Sequence, residues 1–277
     1  MKIRIQDIDI NLQIEGNPNG PWITLSHSLA CNLHMWDEQI ALLSKDFHIL
    51  RFDTRGHGLS SAPPGPYSLD QMAQDVASVF SAIGITQSHW LGLSMGGMIG
   101  QTFALQYPGV LQTLVLADTT SKRPANAEAM WGQRIKVARE QGMLGVLPST
   151  LERWFTAPFR LTRLDVMERI SEGILSTPVE GFCGACAAIA KVDTFDELAK
   201  ITCPTLIMVG EDDHGTPPEM ALAMHQQLAH SELAIIANAG HLSNVEQAQA
   251  FNERLWTFLK TNAFAQSAVL PQSDDKR

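Results

Sequence analysis

The sequence predicts an α/β protein: a mostly parallel, doubly wound sheet carrying an all-helical insertion. Three observations lead there. Short Val/Ile/Leu-rich runs alternate with segments of helical periodicity, the pattern of strands buried on both faces beneath crossover helices. One stretch, about 121–200, has helical segments and no strand between them. And 277 residues at 45% apolar and 18% charged are long and apolar enough to bury a full core without disulfide or metal staples.

Taken in order, Lys2–Ile14 alternates apolar and polar residues and reads as an antiparallel hairpin on the sheet edge. The strand candidates that follow are Trp22–Ser26, Phe47–Phe52, His89–Leu93, Leu111–Ala117, Thr205–Val209 and Leu233–Ala237. Leu69, Met72, Val76, Val79, Phe80 and Ile83 step by three and four, giving a helix with one apolar stripe. A second helix follows Ser94 and stops at Tyr107, because Pro108-Gly109 cannot continue it. A third runs from about Val245 to Leu259. The insertion reads as helices over Ala127–Gln141, Leu151–Phe155 and Val166–Leu175, interrupted by Pro148, Pro158 and Pro178. Inserted after the sixth strand, it is expected to cap the carboxyl edge of the sheet, where such sheets bind ligands. The organisation is therefore a core from 1–120 and 201–262, a helical cap from 121–200, and a disordered tail from 263–277.

Composition excludes several functions. Twenty Lys+Arg against 29 Asp+Glu leave a net charge of -9, which argues against nucleic acid or an anionic membrane as partner. The start of the chain has no signal-peptide apolar run, and no stretch is long and apolar enough to span a bilayer. Cys31, Cys183, Cys186 and Cys203 are too few and too scattered for a secreted disulfide framework. The expectation is a reduced, cytoplasmic protein acting on a small molecule. Oligomeric state is left open, a homo-oligomer included.

The chemistry concentrates at Gly92-Leu93-Ser94-Met95-Gly96-Gly97, between a strand and a helix. This fits G-x-S-x-G, a tight strand-to-helix turn that lifts a serine hydroxyl above the sheet. A free serine is a poor nucleophile and needs a base. Asp213 follows one strand and His241 follows the next, so the chain order is Ser, Asp, His, each just past a strand's carboxyl end. His241 would take the serine proton and Asp213 would orient its imidazole. Glu211 and Asp212 are rival acids in the same loop. A Gly-rich nucleotide loop, with Asp118 as the ribose acid, is the competing reading. It fails at Ser94, which stands where a glycine must let the backbone approach a pyrophosphate.

Two backbone amides are needed for an oxyanion hole: that of Met95, next to Ser94, and one from the Ser26–Ala30 loop, for which Leu29 is the candidate. His27 in that loop is a candidate substrate contact, with a backbone-bonded loop histidine as the plain alternative. Trp131 and Trp154 lie in the cap and are candidates to line the site. Cys183-Gly-Ala-Cys186 lacks a second pair or nearby histidines at zinc spacing, so no metal or cofactor is expected.

These motifs resemble the α/β-hydrolase superfamily, and more closely the 3-oxoadipate enol-lactonases of aromatic catabolism, over roughly 1–262. The stretches that carry the likeness are Ser26-His-Ser-Leu29 with Met35-Trp36, Arg51–Gly58, the Ser94 turn, Trp131-Gly-Gln-Arg134-Ile and Arg153-Trp-Phe-Thr156. The resemblance implies a serine hydrolase that opens a small carboxylated enol-lactone through an acyl-enzyme. In that family the acid stands three residues after the glycine ending its strand, here Gly210, which favours Asp213 over Asp212. A carboxylated substrate also needs a local cation in so acidic a protein. Arg134 is the candidate, sharing a helix face with Trp131, with a solvated pair to Glu140 or Asp165 as the alternative. The lactonases often carry Asn where this chain has His27. A carboxylesterase, or a cofactor-free perhydrolase or haloperoxidase-like enzyme, would use the same three residues.

Overall fold

Residues 1–263 are described by the structure, a computed structural model. The strands are β1 (Lys2–Ile5), β2 (Ile8–Gly16), β3 (Trp22–Ser26), β4 (His48–Phe52), β5 (Ser88–Leu93), β6 (Leu111–Ala117), β7 (Thr205–Gly210) and β8 (Ser231–Ile236). They form one 8-stranded sheet in the order β1-β2-β4-β3-β5-β6-β7-β8. β2 runs antiparallel to β1 and β4, and every pair from β4 to β8 is parallel. Strands β5 and β7 are buried along their whole length, with the polar Ser88 and His89 of β5 hydrogen-bonded to Thr24 and Thr113 on the neighbouring strands.

The core helices are α1 (Asp37–Leu43), α2 (Leu69–Ile83), α3 (Met95–Gln106), α8 (Pro218–Gln227), α9 (Ser243–Glu246) and α10 (Ala248–Asn262). α1 packs with α9 and α10, while α2 packs with α3. Ser68 caps α2 by accepting from Gln71 N–H at 3.1 Å, and Gly84 ends it at φ 77. Trp36, Trp90, Phe47, Phe103, Phe182 and Phe251 are the largest fully buried side chains.

Between β6 and β7 lie α4 (Ala127–Trp154), α5 (Ala157–Thr162), α6 (Leu164–Ser176) and α7 (Val179–Ile189), the helical cap. The expected helix 127–141 and the expected segment 151–155 are one element here. It breaks at Gly142 (φ 66, ψ -169), not at Pro148. A proline's fixed φ is itself helical and Pro148 is exposed, whereas the left-handed glycine interrupts the hydrogen-bond ladder outright. Conversely, the expected helix 245–259 is two elements, parted at Gln247 (φ -126, ψ 52). β8 begins two residues earlier than its apolar run, because Ser231 and Glu232 pair with Thr205 and Leu206 of β7 and Ser231 Oγ is held by His225 and Leu228 O. The expected tail lies outside the described residues, apart from Ala263, which closes α10.

Register brings the site together. Ser26 pairs with Gly92, Leu93 with Ala117, Ala117 with Met208 and Gly210 with Ile236. The loops bearing Leu29, Ser94, Asp118, Asp213 and His241 therefore all emerge at one sheet edge.

Candidate active site

Ser94 sits at the mouth of α3 with φ 54 and ψ -114, a strained conformation for a side-chain-bearing residue. Its neighbours over-determine it. Ser94 N–H donates to Ala117 O at 2.9 Å, and its carbonyl accepts from Gly97 N–H at 2.9 Å, Met98 N–H at 3.0 Å and Thr119 Oγ1 at 2.7 Å. Gly96 has no alternative: a Cβ there would fall 2.0 Å from Ser26 O. The turn thus holds the serine where β3 and β5 meet.

His241 Nε2 lies 2.9 Å from Ser94 Oγ, and its Nδ1 lies 2.8 Å from Asp213 Oδ2. All three residues are buried. The Asp213 carboxylate also accepts from Thr216 Oγ1 at 2.7 Å, Gly215 N–H at 2.7 Å and Thr216 N–H at 3.0 Å. Burial works against its charge, but His241 and these donors outweigh burial and hold the carboxyl below the usual range. Burial likewise opposes protonation of His241, and the Asp213 charge overcomes it, so the imidazole sits above its ordinary value. Asp212 and Glu211 are exposed and face elsewhere; Glu211 takes the Asn238 N–H at 3.2 Å. Asp118, at φ 45, accepts from Gly210 N–H at 2.8 Å and Ser243 Oγ at 2.5 Å. Burial and the neighbouring Asp213 push it up to about 8.

A cavity of about 300 Å³ opens directly on Ser94 and His241. Ser28, Leu29, Trp131, Arg134 and Trp154 line it, and so do Arg123 and Arg153, while no Asp or Glu among the described residues does. Arg134 Nη2 donates to Thr150 Oγ1 at 3.0 Å. Its guanidinium lies 5.6 Å from the Trp131 ring and 5.8 Å from Phe182, and its Nε is buried without a partner. Burial, with Arg153 nearby, pushes it down to about 10, still charged at neutral pH. The solvated alternative does not hold: Lys136 reaches Glu140 and Arg163 takes Asp165. A larger cleft of about 630 Å³ lies against Arg153, Asp212 and Glu246 and does not include Ser94.

His27 is a correction. It does not line the cavity. Its Nε2 accepts Thr54 N–H at 2.9 Å, so its Nδ1 must be the nitrogen that donates, to Ser28 O at 2.7 Å. Burial lowers its pKa, and both nitrogens are spent on backbone. It ties the Ser28–Leu29 loop to Thr54 and lies outside the cavity lining. The amides of Leu29 and Met95 have no acceptor among the described residues. Cys183 and Cys186 are free and buried in α7, and no group of three His, Cys, Asp or Glu that could hold a metal occurs among the described residues.

Thr216 escaped the sequence reading, although Asp213-His-Gly-Thr216 has the spacing of a side chain that bonds the backbone two residues on. The Arg51–Gly58 stretch is a brace: Asp53 accepts from Leu33 N–H at 2.8 Å and Leu59 N–H at 2.9 Å, and Arg55 grips Asp75 with two bonds at 2.5 Å.

Fold, strained serine turn and Ser–His–Asp contacts define a class, and residues 21–248 match the family model of the alpha/beta hydrolase fold; the chain belongs to that family and is an enzyme of the hydrolase superfamily. Among its relatives, 3-oxoadipate enol-lactonase 2 of Acinetobacter baylyi is 34% identical over 92% of this chain and 94% of its own. The crystal structure of the enol-lactonase from Burkholderia xenovorans LB400 matches with a TM-score of 0.91 and 33% identity, covering 94% of this chain and 100% of that one. A thermophilic esterase from Thermogutta terrifontis, solved with malate bound, matches with a TM-score of 0.87 and 29% identity over 92% of this chain and 94% of its own. Among the described residues no helix is long and apolar enough to cross a membrane.

Proposed function

We propose that this protein hydrolyses a small carboxylated enol-lactone of the 3-oxoadipate type. One observation carries the reading: the cavity on Ser94 is lined by three arginines and, among the described residues, no acid. An anion beside the reacting carbonyl is what such a lining would recognise. The enol-lactonase relatives support the same substrate class, as does the malate in the esterase relative.

Ser94 Oγ attacks the lactone carbonyl while His241 Nε2 accepts its proton, and Asp213 stabilises the imidazolium. The developing oxyanion takes the free amides of Leu29 and Met95. Collapse opens the ring. The enol oxygen leaves with the proton from His241, and the enol so formed tautomerises to the ketone by moving a proton to carbon, still tethered to the acyl chain on Ser94. Water, deprotonated by His241, then releases the oxo-acid. Arg134 holds the substrate carboxylate against the cap, and Trp131 and Trp154 wall the apolar part. A screen of carboxylated enol-lactones against p-nitrophenyl esters of graded length tests this. The lactones should give the higher kcat/KM. High turnover confined to short neutral esters would make the protein a carboxylesterase, and halide oxidation by peroxide as the main activity would make it a perhydrolase.

A further inference from the structure

The amides on either side of His241 are both held, one by the side chain of Glu246 in α9 and one by the last residue of cap helix α4. Gly240 N–H donates to Glu246 Oε2 at 2.8 Å, and Leu242 N–H donates to the carbonyl of Trp154 at 3.1 Å. Glu246 is buried, and its carboxylate also takes Thr156: the amide at 3.1 and 3.3 Å and the hydroxyl at 2.5 Å. One side chain therefore joins Thr156, just past α4, to the residue preceding His241. The two backbones touch directly, since a Cβ on Gly240 would fall 2.7 Å from Trp154 O. The same cap segment faces the other way onto the cavity, through Arg153 and Trp154.

The geometry points to Glu246 as a positioning residue that fixes the Arg153–Thr156 segment against the Gly240–Leu242 backbone, so that the seat of the cap and the aim of the His241 ring are set together. Nothing in the Ser–His–Asp chemistry calls for this carboxylate. Its hydrogen bonds go to Thr156 and Gly240 and to none of the three, and it lines the cleft that does not include Ser94. What it does is hold the backbone on which the base is mounted. A misplacement of the order of 1 Å there costs ~100-fold in rate.

The inference rests on His241 activating Ser94, and not on the identity of the substrate. The test therefore uses a neutral phosphonate, following the rate at which it labels Ser94, alongside kcat and KM for p-nitrophenyl acetate. Glu246→Gln keeps the volume but turns an amide group toward the donors; Thr156→Val removes the hydroxyl; Thr156→Ser restores it. Circular dichroism and melting report folding. We expect Glu246→Gln to lower labelling and kcat by ~10–100-fold with KM little changed, Thr156→Val to lose less, and Thr156→Ser to match wild type. The losses should fail to add in the double variant, because both act through one carboxylate. Should Glu246→Gln not fold, the Thr156 pair decides alone. Folded variants labelled as fast as wild type, or strictly additive losses, overturn the proposal. Wild-type protein whose Ser94 stays unlabelled overturns the reading of Ser94 and this proposal with it.

Discussion

Replacing Arg134 by Met separates recognition of charge from the rest of the site. Met keeps much of the side chain's bulk between Trp131 and Phe182 and removes the guanidinium. Thr150 Oγ1 is not stranded, since it also donates to Val146 O at 2.8 Å. Two unit charges ~4 Å apart attract by ~4 kcal/mol at an effective dielectric of ~20. Arg153 remains in the cavity to take up part of that. The net loss for a carboxylated lactone should then be ~2–3 kcal/mol, near the low end for a broken buried charge pair, or ~30–150-fold in kcat/KM. A neutral ester of equal size should change less than ~3-fold. The melting temperature should hold or rise, because the substitution removes a half-buried cation that has no carboxylate partner among the described residues. The assay follows loss of the enol-lactone chromophore and p-nitrophenolate release on the same preparations. Equal losses on both substrates, or none on either, would refute the assignment of the carboxylate to Arg134.

Asp213→Asn should cost ~10⁴-fold in kcat by favouring the wrong imidazole tautomer, whereas Asp212→Asn, exposed and off the His241 axis, should be mild; steady-state kinetics of the two variants decide between the carboxylates. His241 must be neutral to act as base, and Asp213 raises its pKa, so kcat/KM should fall as pH drops through a midpoint above the ordinary ~6.5. In Asp213→Asn that midpoint should move down, which a pH–rate profile of both proteins would show. Burial and the neighbouring Asp213 push Asp118 up to about 8, toward the neutral form, so Asp118→Asn should keep kcat within a few-fold at pH 7.

The parallel strands were legible because burial on both faces leaves unbroken Val/Ile/Leu runs, as in Thr205–Val209. Ser94 and His241 were legible because a turn this tight permits few residues and the chain order of its partners is restrictive. Elements that depend on context were not. Nothing local says that the chain tolerates Pro148 within a helix yet breaks at Gly142. His27 looked available to a substrate because it sits beside Leu29. What removes it is the amide of Thr54, which only the fold brings to its ring. Glu246 and Thr156, 90 residues apart, met no sequence rule at all. Arg134 was visible through its spacing to Trp131, but its lack of an acidic partner among the described residues is a property of the packed cap.

The central claim is that Ser94 forms an acyl-enzyme with a carboxylated enol-lactone. Rapid acid quench of protein mixed with the lactone, followed by peptide mass spectrometry, tests it most directly. Because the leaving enol stays tethered, the adduct should carry the full mass of the lactone, sit on the peptide containing Ser94, and vanish in Ser94→Ala together with turnover. Turnover that survives in Ser94→Ala, or an adduct found on Cys183 or Cys186 instead, would contradict the account.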